Sequence, residues 1–148
     1  MGLFDALNIS GTGLSAERLR MDVTAENLAN AQTTRGANGG PYRRKVVTLQ
    51  EANGGGFDTA LAAAQSSQPG SAPGGVEVSG IAEDSAPDRM VYDPGHPDAD
   101  ANGYVKMPNV NPVSEMVDLI SSSRAYEADV TAMQAAKSMF SKTLDILR

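Results

Sequence analysis

The sequence contains no cysteine and no tryptophan. The first absence excludes disulfides, a thiolate nucleophile and the usual zinc sites, yet leaves the compartment open, because a periplasmic protein need not carry disulfides. The second, with aromatics at only 5% of 148 residues, excludes a large aromatic core. Whatever core exists is aliphatic and of one domain's size. Acidic residues outnumber basic ones, 18 to 12, for a net charge of −6. That balance argues against a nucleic-acid surface, since phosphate binding needs clustered Lys and Arg. The one basic cluster, Arg43-Arg44-Lys45, reads as a solvated edge at the start of a strand. No stretch approaches the ~20 apolar residues of a membrane span. No basic region followed by an apolar run marks a cleavable secretory signal, so the default location is the cytoplasm. Gly2 invites a lipidation check, which Ala6 fails where Ser or Thr is required.

What the chain does have is concentrated at its two ends. Leu119, Tyr126, Met133, Phe140 and Leu147 recur every seven residues, with Val130 and Leu144 between them, which is the seam of a coiled coil. Leu7, Leu14, Met21 and Leu28 repeat the pattern near the N-terminus, with Ala25 on the companion position. Both helices also carry apolar residues on the opposite side. Ile9, Ala16, Leu19 and Val23 lie opposite the Leu14 seam; Val117, Ala128, Ala135, Met139 and Ile146 lie opposite the Tyr126 seam. The polar stripe of the last helix, from Glu127, Asp145, Arg124 and Lys142, is only about 60° wide. A helix apolar nearly all round is buried in something, and one intramolecular pairing leaves a face wet. Either both helices pack on the middle of the chain as a small bundle, or they pack on neighbouring subunits. The middle has few large apolar residues, which favours neighbours.

The first helix is expected from about Leu3 to Ala31, with Gly11 and Gly13 either carried by packing or marking a joint. The last has a clear start: Asn111 can cap, Pro112 suits the first helical position, and Glu115 places an anion in the first turn. Strands are expected at Tyr42–Leu49, Val76–Ile81, Met90–Tyr92 and Tyr104–Met107, with a helical turn at Asp58–Ala64. The fold class is therefore α+β. Long N- and C-terminal helices pair as a discontinuous coiled-coil domain over 1–35 and 111–148. A small β-rich central domain over 36–110 carries flexible Gly/Pro loops, the main one at about 53–75.

Chemistry is thin. The lone histidine, His96, sits in a Pro-rich turn without an identifiable nucleophile and reads as a surface residue. Asp98, Asp100 and Asn102 match the opening of a calcium loop, but position twelve is Asn109 in place of a bidentate Glu, and Pro97 and Pro108 exclude tight flanking helices. The weak metal candidate gives way to an Asx-type turn. No phosphate loop or catalytic triad is present, so the expectation is no enzyme, no cofactor and no small-molecule substrate.

Particular runs are recognisable as well. Thr24-Ala25-Glu26-Asn27-Leu28-Ala29-Asn30-Ala31 resembles the Asn-Leu-Ala-Asn signature that closes the N-terminal helix of flagellar rod and hook axial proteins. Asp93 to Ala99, Gly103-Tyr104-Val105-Lys106-Met107-Pro108-Asn109-Val110-Asn111, Glu115-Met116 and Arg124-Ala125-Tyr126-Glu127-Ala128 resemble the approach to, and the body of, the C-terminal helix of a basal-body member of that family. Between about Asn53 and Pro87 the resemblance is weak. It implies a subunit of the proximal rod, with an inner helical layer and an outer β-rich domain. Asn27, Leu28, Asn30 and Thr33 carry over as signature residues. Implied partners are copies of itself, other rod proteins, and the membrane ring and export apparatus at the rod base. Export through the flagellar type III apparatus moves the expected location to the periplasm. The terminal helices are expected to order on assembly. The rival readings are an autonomous cytoplasmic coiled-coil scaffold and a calcium-binding module.

Overall fold

A computed structural model describes residues 3–36, 39–52 and 74–146. The expected turn at Asp58–Ala64, most of the 53–75 spacer and Leu147 lie outside the described residues. The elements run α1 (Leu3–Ala29), β1 (Lys45–Glu51), β2 (Val76–Glu83), β3 (Arg89–Tyr92), β4 (Tyr104–Met107) and α2 (Pro112–Ile146). Among the described residues the class is thus α+β, with two long helices and two two-stranded sheets, β1-β2 and β3-β4.

The helix ends follow from local chemistry. At the start of α2, Asn111 accepts from the Val113 amide through its side chain at 3.1 Å, and from the Glu115 amide through its carbonyl at 3.0 Å. The side-chain bond satisfies one orphan donor of the first turn, the carbonyl accepts the first regular bond of the helix, and Pro112 needs no partner there. The first helix, α1, stops at Ala29, two residues before the expected Ala31. The Asn30 amide still reaches Glu26, but the next bonds, Ala31 to Leu28 and Thr33 to Asn30, span three residues and tighten the chain into turns.

The first strand begins at Lys45, later than the expected Tyr42, because the preceding amides are committed elsewhere. Tyr42 donates to the Thr33 carbonyl at 3.1 Å and Arg44 to the Asn109 side chain at 3.0 Å. From Lys45 to Leu49 exposure alternates residue by residue, as a half-buried strand requires.

Two compact units divide the chain, one from Met1–Arg18, Leu49–Ser79 and Ser123–Arg148, the other from Leu19–Thr48 and Gly80–Ser122. In the first, helix segments approach closely at Gly13, where an added Cβ would stand 2.8 Å from the Asp129 carboxylate. The Thr12 hydroxyl there donates to the Ile9 carbonyl at 2.7 Å and accepts from the Val76 amide at 3.1 Å. The neighbouring Gly75 leaves room for that hydroxyl, since a Cβ at Gly75 would lie 2.0 Å from Thr12 Oγ1. Buried hydrophobics of this unit, among the described residues, are Ala16 and Ala136.

In the second unit Val23, Ala31, Val105, Pro108 and Val110 are buried. β3 and β4 pair antiparallel, Val91 opposite Val105 and Tyr92 opposite Tyr104. Their loop closes on Gly103, which has φ +79° and leaves no room for a Cβ beside the Tyr92 ring, 2.9 Å away.

Candidate assembly site

The C-terminal end of α1 carries Asn27, and the first turn of α2 carries Glu115, each 1% exposed. Burying a carboxylate and an amide is costly unless every lone pair and proton finds a partner. Here Asn27 makes four bonds. Its Nδ2 donates to the Lys45 carbonyl at 2.9 Å and to Glu115 Oε2 at 3.1 Å. Its Oδ1 accepts from the Tyr42 hydroxyl at 2.8 Å and from the Lys45 amide at 2.9 Å. One side chain therefore mimics a strand partner for Lys45 and ties it to both helices.

Glu115 completes the node by accepting from Arg44 Nε at 2.6 Å. The remaining face of the Arg44 guanidinium looks toward Asp118 at 3.5 Å and Asp84 at 3.9 Å. The bond to Glu115 raises the Arg44 pKa above its ordinary value. Burial, reinforced by the charges of Glu26, Glu115 and Glu83, pushes the Tyr42 hydroxyl up to about 12, so it stays a donor. Lys45 reaches Glu26 at 2.5 Å and Arg43 reaches Asp88 at 3.6 Å. Arg44 is consequently the counter-charge of a buried carboxylate, while the side chains of Arg43 and Lys45, 41% and 34% exposed, stand at the solvated start of β1.

The other signature residues act close by. Asn30 Nδ2 donates to the Glu26 carbonyl at 2.9 Å, and its Oδ1 accepts from the Thr33 hydroxyl at 3.1 Å. These bonds occupy helix-end groups and set the exit of the chain toward Tyr42. Leu28 is half-buried. Asn30 thus matches a helix-end role, whereas Asn27 reaches 18 and 88 positions along the chain. Tyr42, Arg44 and Lys45 were not singled out as its partners by sequence reasoning, which read Glu115 only as an anion in the first turn of the helix.

Of the seam residues, Leu7, Leu14, Met21, Leu119, Tyr126, Val130 and Met133 are half-buried, while Phe140 and Leu144 are exposed. The most deeply buried positions of α2 are instead Glu115, Ser122 and Ala136, on a small and polar seven-residue register that also contains the half-buried Asp129. A hydrophobicity pattern does not reveal such a register. Exposed apolar residues of α2 include Val113 at 65% and Val117 at 61%, with Met116 and Ile120 alongside. Their spacing makes one stripe along a helix face, of the kind that marks an interaction surface.

Two of the three weak metal candidates, Asp98 and Asp100, use their carboxylates within the chain. Asp98 accepts from the Thr34 hydroxyl at 2.8 Å and pairs with Arg35. The Thr34 bond, followed by the Arg35 charge, holds the Asp98 carboxyl below its usual range. Asp100 accepts from the amides of Asn102 at 2.8 Å and Tyr104 at 2.9 Å, an Asx turn. His96 Nδ1 accepts from the Asp98 amide at 3.1 Å.

Comparison with known proteins bears on the same segments. Residues 7–37 match the family described as flagella basal body rod protein, and residues 101–146 match flagellar basal body rod FlgEFG protein C-terminal. The flagellar basal-body rod protein FlgC of Bacillus subtilis (strain 168) is 53% identical over 150 residues, covering 99% of both chains. That of Salmonella typhimurium is 45% identical over 146 residues, covering 99% of this chain and 98% of its own. The FlgC of Borreliella burgdorferi is 45% identical over 157 residues, covering 100% and 99%. With identities of this size over nearly its whole length, the chain belongs to the FlgC family of flagellar basal-body rod proteins.

Proposed function

We propose that this rod subunit polymerises in the proximal rod through its terminal helices and transmits torque across the periplasm. The terminal segments, 1–35 and 111–148, act as a coiled-coil assembly domain, and 36–110 forms the outer β-rich part. Copies of the same chain and other rod proteins cover the apolar helix faces, with the membrane ring and export apparatus at the rod base. The chain arrives through the flagellar type III apparatus.

The observation that carries this reading is the stripe of Val113, Met116, Val117 and Ile120, all exposed on α2. Covering large aliphatic side chains stabilises by ~1.5 to 3 kcal/mol each when burial is complete, which the single chain forgoes. A Val117→Asp variant places a charge on that stripe without touching the buried node. It is expected to be expressed at the normal level yet to be missing from basal bodies, with loss of swimming. Normal swimming of Val117→Asp cells refutes the role of that face.

A further inference from the structure

We infer that the cavity between the end of α1, β1 and the start of α2 binds a small cluster of ordered water, which continues along β1 the pairing that Asn27 begins. The site belongs to the single chain and stands apart from the subunit reading above.

The cavity has a volume of about 230 Å³, and its walls include Thr24 of α1, Val47 of β1 and Ser122 of α2, beside Asn27 and Glu115. Thr24 is 6% exposed and Ser122 2%. Hydroxyls elsewhere on these helices bond back to a carbonyl about one turn earlier, as Ser15 does to Gly11 at 3.0 Å and Thr131 to Ala128 at 2.7 Å. Thr24 and Ser122 make no such bond, nor any other side-chain bond among the described residues. Buried hydroxyls in folded proteins are hydrogen-bonded, and where no protein group answers them ordered water does.

The edge of β1 supplies a third set of groups. The Arg44 carbonyl accepts from Asp84 just beyond β2, whereas the amide and carbonyl of Lys45 both go to the Asn27 side chain. Backbone groups alternate between the two edges of a strand, so Val47, two residues on, turns its amide and carbonyl to the same edge as Lys45. Among the described residues β2 is the one strand paired with β1, and no strand answers Val47 there. Two hydroxyls, one amide and one carbonyl therefore converge on one space, enough for the two to four polar partners that a fixed water needs. The space is ample, since one water takes only ~10 to 15 Å³. The two carboxylates of the wall, Glu115 and Asp118, are paired with Arg44, which leaves no free anion there to fix a metal ion. Water, able to donate and accept at once, is the ligand that this neutral set recognises.

The sign of one substitution separates a hydrated site from a dry one. Thr24→Val in the full-length protein keeps the shape of the side chain and a similar helix propensity while removing the hydroxyl. A hydroxyl buried without any partner is better replaced by a methyl group, so a dry cavity gives a thermal midpoint at or above that of the parent. A hydroxyl that holds water loses a bond and strands its neighbours. The midpoint of Thr24→Val is therefore expected to fall, with a several-fold loss in the folding equilibrium constant. A second readout needs no variant: magnetic cross-relaxation between water and the Val47 amide of the unaltered protein is expected to show a long-lived contact. Should Thr24→Val fail to fold, that readout decides alone. The inference is overturned if Thr24→Val matches or exceeds the parent in stability, or if the Val47 amide shows no contact with long-lived water.

Discussion

Asn27 and Glu115, 88 positions apart in the chain, share a hydrogen bond of 3.1 Å in a place where each is 1% exposed. That bond is central to the compact unit formed by Leu19–Thr48 and Gly80–Ser122. It joins the end of α1 to the start of α2, and the same amide holds the first residue of β1. A buried network of this kind favours one arrangement when fully satisfied and is costly when one member is missing.

Asn27→Ala leaves the Lys45 amide and carbonyl without their side-chain partner and removes a donor from Glu115. Each buried group left unsatisfied costs ~1 to 3 kcal/mol, so the denaturation midpoint should fall well below that of the parent. Asn27→Asp should be worse at neutral pH, since it sets a second carboxylate beside Glu115, and should recover partly on acidification. A neutral effect of both substitutions contradicts the node.

Tyr42 supplies a pH signature. Its folded pKa, pushed up to about 12 by burial and then by Glu26, Glu115 and Glu83, stands above the unfolded value of 10.0. A raised value means that the protonated hydroxyl is favoured in the fold. Its contribution is fully present below pH ~10 and lost as pH rises from there toward about 12. Stability measured across that window should decline less in Tyr42→Phe than in the parent, and Tyr42→Phe should be less stable at neutral pH through loss of the bond to Asn27.

Glycines in the other unit differ in what they tolerate. A Cβ at Gly13 meets the end of the flexible Asp129 side chain at 2.8 Å, whereas a Cβ at Gly75 lies 2.0 Å from Thr12 Oγ1 and 2.9 Å from its Cβ. Gly13→Ala should be tolerated, because Asp129 can swing aside and Ala gains ~1 kcal/mol of helix propensity. Gly75→Ala should disrupt the Thr12 bond to Val76 and lower the melting temperature. Equal melting temperatures for the two variants would contradict the geometry at Thr12.

Much of the architecture was legible in the sequence. Asn111, Pro112 and Glu115 announce the start of α2 through cap, ring and charge. Tyr104–Met107 is observed with the expected bounds, and Arg89–Tyr92 and Val76–Glu83 extend theirs by one and two residues. Less legible was anything that depends on which polar groups meet. Arg44 looks like surface charge until Glu115 is brought to it from 71 positions away. Tyr42 reads as a strand residue until its hydroxyl is found on Asn27. The buried register of Glu115, Ser122 and Ala136 is silent in a hydrophobicity pattern, because small and polar residues signal burial only through their partners.

A map of isolated basal bodies by electron cryo-microscopy, at a resolution that traces side chains, tests the central claim most directly. The account predicts density for this chain in the proximal rod, with Val113, Met116, Val117 and Ile120, exposed in the single chain, covered by a neighbouring subunit. A rod in which the chain is present but that stripe faces solvent would contradict it.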